Sequence, residues 1–122
     1  MLTILLINLL FGGGSTELLA YIADTQDSVK IVMPKDAQRK EALNTLKAMK
    51  KRTNARNKQE RRTAKDLAQA FRDHGANAAE IDAIWVNYFA ENDTYNSDML
   101  DLRFELKEHI NREEWEAIFP GD

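Results

Sequence analysis

Residues 77–89, with the sequence NAAEIDAIWVNYF, carry the strongest helical signal in the chain. Asn77 is a favourable N-cap residue, and Glu80 three positions later completes the pattern of a capping box. The large apolar side chains that follow recur every three or four residues, which places them on one face of a helix. They are Ile81, Ile84, Trp85, Tyr88 and Phe89. This stretch predicts an amphipathic helix at the centre of the core of an all-α protein.

Towards the C-terminus, the polar run 92–97 predicts a turn, and a further helix is expected after it. Asn111 and Glu114 form a second capping-box pattern and predict a short final helix. Residues 76–122 are therefore expected to form a small acidic helical bundle that packs on the end of a long helix. The predicted core consists of Leu67, Phe71, Ile81, Ile84, Trp85, Tyr88, Phe89, Met99, Leu102, Leu106, Ile110, Trp115 and Phe119.

Towards the N-terminus, residues 35–75 predict one long basic helix, with Asp36 as its N-cap and Gly75 as its stop. Its apolar stripe is strong at both ends and absent across residues 54–63. That middle stretch contains no Gly or Pro, so a continuous helix is the first expectation, and a hairpin with a break near Asn54 or Asn57 is the alternative. Residues 24–34 are expected to be a connector that ends at Pro34. The weak alternation of β-branched residues across 28–33 allows a short strand, and a short helix lying along a membrane surface is the alternative.

Residues 1–23 have the character of a hydrophobic anchor. Residues 1–11 are almost wholly apolar, and a second apolar group occupies residues 18–22. A single helix over residues 2–22 would be about 32 Å long, close to the thickness of the hydrocarbon layer. Small residues at four-residue spacing, with an acidic neighbour, predict a surface for packing against other membrane helices. That surface consists of Gly12, Gly13, Thr16, Glu17 and Ala20. The alternative is a signal-like segment that is removed on export.

Charge is distributed in three blocks along the chain. Residues 1–34 carry a net charge of −2, residues 35–65 carry +9 and residues 66–122 carry −10. Because residues 54–63 lack an apolar face, we expect a partner outside the chain's own core to contact them, either the acidic block of another copy or an anionic membrane. The predicted electrostatic interaction surface consists of Lys50, Lys51, Arg52, Arg56, Lys58, Arg61, Arg62 and Lys65.

Composition argues against several classes of function. The chain has no Cys and two His, which excludes disulfide scaffolds and thiolate metal sites. Glu105 and His109 share a helical face, but no second acidic and His pair is present to complete a bundle metal site. No nucleophile elbow, phosphate loop or dinucleotide fingerprint occurs. We therefore expect no enzyme activity, no cofactor, no metal and no small-molecule substrate.

The favoured function is that of a non-enzymatic accessory or structural subunit in a membrane-associated oligomeric assembly, with lipid and either copies of itself or other subunits as partners. The alternative is an exported helical envelope protein, periplasmic or secreted, that acts as a binding or chaperone-like module. Nucleic-acid binding through the basic helix ranks third, because no aromatic side chain is interleaved for base stacking. The bases that follow the apolar segment favour a cytoplasmic side for the remainder of the chain.

Overall fold

A computed structural model describes residues 14–121 of the chain, with side chains from Thr16 onward. Four helices and no strands make up this described part, which confirms the all-α class. The helices are α1 (Gly14–Val32), α2 (Ala37–Arg72), α3 (Ala78–His109) and α4 (Arg112–Ile118).

Helix α1 corrects the prediction of a connector at residues 24–34, because the helix continues to Val32. Ile22, Val29 and Met33 share one side of this segment, and each is at most 3% exposed. The weak alternation of β-branched residues indicated a strand-like stretch, but burial of this apolar side favours the helix. Pro34 follows immediately and cannot continue it.

The N-terminal anchor prediction concerns residues that lie partly outside the described range. Within that range, Leu18 and Ile22 pack into the helical core instead of forming part of an anchor. None of the helices in the described part combines the length and the apolar character that a membrane span needs.

Helix α2 confirms the expectation of one long continuous helix. It contains 36 residues and is about 54 Å long, with no break at Asn54 or Asn57. The Asp36 side chain caps its start by accepting a hydrogen bond from the Arg39 backbone N–H at 3.0 Å. A short turn after Arg72 leads to α3. In this turn the Gly75 N–H donates a hydrogen bond to the Asp73 carboxylate.

Helix α3 begins as predicted but does not end at the polar run 92–97. The Asn77 side chain accepts a hydrogen bond from the Glu80 N–H at 2.9 Å, and the helix then continues for 32 residues. The predicted turn is wrong because the run contains no Gly or Pro, and because Asn92 and Tyr95 bond to α2. Asn92 and Tyr95 face a polar surface of α2, and the other four residues of the run are exposed to solvent.

Helix α4 has the predicted capping box. The Glu114 N–H donates to the Asn111 side chain at 2.8 Å, and the Asn111 N–H donates to the Glu114 carboxylate at 3.2 Å. The box is local in sequence, and so it could be predicted without knowledge of the tertiary contacts.

Helices α2 and α3 lie antiparallel along each other. Arg52 contacts Asp98 near the middle of the pair, while Gln38 at the start of α2 contacts His109 at the end of α3. The prediction that residues 76–122 form a bundle at the end of α2 is therefore wrong. They pack along its length, with α1 and α4 joining at one end.

The centre of the core lies at the opposite end of α2 from the predicted one. It joins α1, the first half of α2, the second half of α3 and α4. Of the predicted core, Leu67, Leu106 and Ile110 are buried, Trp85 is half-buried, and Phe71 and Phe89 are exposed. The main buried cluster consists of Ile22, Val29, Met33, Ala42, Leu46, Met49, Leu106, Ile110 and Ile118. The difference arises because α1 supplies a core face, which the sequence had assigned to an anchor and a connector.

Candidate functional site

The inner face of α2 joins α3 through a polar network. Arg52 Nε donates a hydrogen bond to Asp98 Oδ2 at 2.8 Å, which is also an ion pair. One turn further along, Arg56 Nη2 donates to Asn92 Oδ1 at 2.6 Å and pairs with Glu60 at 3.2 Å. Both guanidinium groups are therefore held within the α2–α3 interface.

Tyr95 lies at the centre of this network. Its hydroxyl is hydrogen-bonded to that of Thr53 at 3.0 Å, and both residues are buried. The guanidinium carbons of Arg52 and Arg56 lie over its ring, 5.3 and 4.4 Å from the ring centroid. Cations at such distances are attracted to the face of an aromatic ring. Tyr95 thus fixes the register of the two helices and engages two cations.

This network corrects two expectations about residues 50–65. Arg52 and Arg56 were predicted to form part of an external surface, but they pair with groups of the same chain. The stretch 54–63 also has an internal partner, because α3 covers one side of it even though that side is polar. The missing apolar stripe therefore gives no reason to expect an outside partner.

The outer face of α2 is strongly basic. The other six cations of the predicted surface, namely Lys50, Lys51, Lys58, Arg61, Arg62 and Lys65, are exposed. Lys40, Lys47 and Arg72 are also exposed and extend the same face along the helix. At 3.6 residues per turn, these nine cations fall within an arc of about 120°, centred opposite Arg56. We call them the basic face.

The basic face carries charge of one sign. The carboxylates of α2 are Glu41, Glu60 and Asp66, and all three lie outside the arc at helical spacing. Within residues 16–121, no cation of the basic face forms an ion pair. The face extends about 48 Å from Lys40 to Arg72. Lys40, Lys47 and Arg72 were not part of the predicted surface. Lys40 and Lys47 lie within the basic block at residues 35–65 and Arg72 lies outside it, and a helical projection of the whole segment places all three on this face.

The predicted membrane-packing surface can be located only in part. Gly12 and Gly13 lie outside the described residues. Thr16, Glu17 and Ala20 are exposed on α1, on the side away from Leu18 and Ile22.

The described residues offer little for chemistry. No group of three His, Asp or Glu side chains in this part of the chain could hold a metal ion. His109 Nδ1 lies 3.2 Å from the Gln38 amide oxygen. A largely apolar cavity of about 330 Å³ lies between the four helices, and Thr25 on its wall donates its hydroxyl hydrogen to the Tyr21 carbonyl. Its lining contains no carboxylate or imidazole that could act as an acid or base.

Comparison of the chain with protein-family models, with curated proteins and with solved structures finds no match.

Proposed function

We propose that the protein is a non-enzymatic structural subunit of a membrane-associated assembly, and that its basic face binds anionic lipid headgroups. The observation that carries this proposal is the one-signed basic face of α2, with nine exposed cations and no carboxylate in its arc. An extended row of cations suits a flat surface of negative charge better than a small ligand. Each Lys or Arg near an anionic membrane contributes about 1 kcal/mol.

The apolar sequence of residues 1–11 supports the same proposal. A polybasic surface adds to the membrane attachment of a single lipid chain, and we propose that it adds in the same way to the attachment of an apolar segment. The anionic lipids of the cytoplasmic leaflet would place the basic face on that side. The face contains no aromatic residue, so the base stacking of single-stranded nucleic-acid binding is absent from it.

Vesicle co-sedimentation of the full chain tests the proposal. The wild type should bind vesicles that contain phosphatidylserine and should bind purely zwitterionic vesicles much more weakly. The triple variant Lys58→Glu, Arg61→Glu, Lys65→Glu should lose at least about 3 kcal/mol of binding free energy, which is more than a 100-fold fall in the partition coefficient.

The matched control reverses three exposed cations that lie off α2, namely Lys30, Lys35 and Arg112. It has the same net charge as the test variant and should retain most of the binding. Equal binding by both variants would contradict a specific role for the basic face. If the wild type binds short RNA or DNA duplexes and ignores the vesicles, nucleic-acid binding replaces this proposal. Mass spectrometry of the native N-terminus distinguishes the proposed subunit from the exported alternative, which predicts a mature chain starting near Ser15.

A further inference from the structure

Helix α3 has a second apolar stripe that faces solvent. Val86, Phe89, Leu100 and Phe104 are 61%, 56%, 53% and 52% exposed. At helical spacing they share an arc of about 60°, and the centre of this arc lies about 150° from the buried Tyr95. They form two exposed apolar pairs, 86/89 and 100/104, with the exposed Asp93 between the pairs in the same arc. Exposed apolar clusters mark interaction sites. We call these four residues the outer stripe.

The outer stripe is nearly symmetric about its own midpoint. The midpoint between Val86 and Phe104 and the midpoint between Phe89 and Leu100 both fall at residues 94–95. In a two-fold dimer with antiparallel helices, Val86 of one copy would therefore lie opposite Phe104 of the other, and Phe89 opposite Leu100. A two-fold interface requires this kind of self-complementary patch.

Charges at the ends of the outer stripe obey the same symmetry. Asp82 and Lys107 are exposed, lie in the same arc, and have their midpoint at residues 94–95 as well. Neither forms an ion pair within residues 16–121. An antiparallel pair brings Asp82 of each copy to Lys107 of the other. A parallel pair would instead place Asp82 against Asp82 and Lys107 against Lys107, which is repulsive. Asp93 lies close to the midpoint in the same arc, so both arrangements bring the two Asp93 side chains near each other, and Asp93 favours neither arrangement.

We propose that α3 binds the α3 of a second copy of this chain, antiparallel and in the register that pairs Val86 with Phe104. This inference rests on the proposed function in one respect, since it names the partner within the assembly. It uses residues that the basic face does not include. The outer stripe offers roughly 300–400 Å² of apolar area per copy, below the roughly 800 Å² of a standard interface, so we expect a dissociation constant in the micromolar range.

Cysteine cross-linking of the full chain tests the register, and the absence of native cysteines makes the result unambiguous. The variants are Val86→Cys and Phe104→Cys, studied singly and as an equimolar mixture under mild oxidation. In the proposed register, the two copies of residue 86 are separated by about 27 Å, far beyond the roughly 7 Å limit for a disulfide. We expect a cross-linked dimer in the mixture, formed at least tenfold faster than in either variant alone.

Charge reversal provides a second, independent measurement by sedimentation equilibrium. Asp82→Lys alone and Lys107→Asp alone each place like charges at both ends of the pair, and each should weaken dimerisation at least tenfold. Their equimolar mixture restores both opposite-charge contacts and should dimerise as strongly as the wild type. The control Ile31→Gln, at a residue 84% exposed on α1, should leave dimerisation unchanged.

The outcomes separate the two proposals. Cross-linking of Val86→Cys with itself, or a mixture of charge variants that is no stronger than its components, overturns the antiparallel register. A wild type that stays monomeric up to about 200 µM, well above the expected dissociation constant, overturns the second copy as partner. In either case, retained vesicle binding through the basic face leaves the lipid-binding part of the proposed function intact. Loss of vesicle binding with an intact dimer contradicts only that part.

Discussion

The hydrogen bond between Thr53 and Tyr95 should make a measurable contribution to stability. The two hydroxyl oxygens are 3.0 Å apart, Thr53 is 0% exposed and Tyr95 is 4% exposed. Tyr95→Phe removes only the hydroxyl, because the ring remains available to the two arginines of α2. It leaves the buried Thr53 hydroxyl without this partner. The cost of such a loss is about 1–3 kcal/mol.

The cost should fall in the lower half of that range, at about 1–2 kcal/mol. A Thr hydroxyl in a helix can turn to the backbone carbonyl four residues before it, here that of Met49. Thr53→Val should cost a similar amount, since it leaves the Tyr95 hydroxyl unpaired. The double variant removes both polar groups and should therefore be less destabilised than the sum of the two single variants.

The assay is urea unfolding of the four proteins of this cycle, followed by far-UV circular dichroism. The expected coupling free energy is about 1 kcal/mol, with unchanged dependence of the unfolding free energy on urea concentration. The prediction is refuted if the unfolding free energy of Tyr95→Phe lies within about 0.3 kcal/mol of the wild-type value and the effects of the two single variants add up to that of the double variant. The hydroxyl pair would then not stabilise the α2–α3 interface.

Three further predictions concern the core, a helix cap and the basic face. Leu46→Ala, at a residue 2% exposed, should destabilise the fold by about 2–5 kcal/mol, whereas Ile31→Ala at an 84% exposed residue should change it by less than about 0.5 kcal/mol in the same urea assay. Asn111→Ala should lose about 1 kcal/mol in thermal unfolding, and Asn111→Asp, which retains a capping oxygen, should recover most of it. Vesicle binding should fall steeply between 0.1 and 1 M salt, as the Debye length shortens from about 10 to 3 Å, and binding that ignores salt would exclude an electrostatic contact.

The positive charges on the two sides of α2 have different surroundings. On the inner side, Arg52 and Arg56 are neutralised by groups on α2 and α3 and contact the ring of Tyr95. These interactions stabilise the fold and are unavailable to a partner. On the outer side, the basic face lacks such partners within the described residues. Charge reversal in the basic face should therefore weaken vesicle binding and leave the fold intact. Removal of the Arg56 side chain should destabilise the fold and leave vesicle binding largely unchanged.

The sequence by itself determined where three helices begin, and it favoured a continuous α2 over a hairpin. The N-caps Asp36, Asn77 and Asn111 were predictable because capping joins groups only three residues apart. The continuity of α2 followed from the absence of Gly and Pro between residues 54 and 63. These features depend on local geometry and backbone preference, which a single chain segment displays fully.

Only the tertiary structure decided which faces of the helices are buried. The polar run 92–97 resembles a turn until Thr53 and Arg56, about 40 residues away in the chain, are placed beside it. The apolar side of α1 was assigned to an anchor and a connector because its partner surface is formed by three other helices. A periodic pattern shows that a face exists, but whether water, lipid or another helix covers it depends on long-range contacts. The same contacts divide the cations of α2 between its buried and exposed sides.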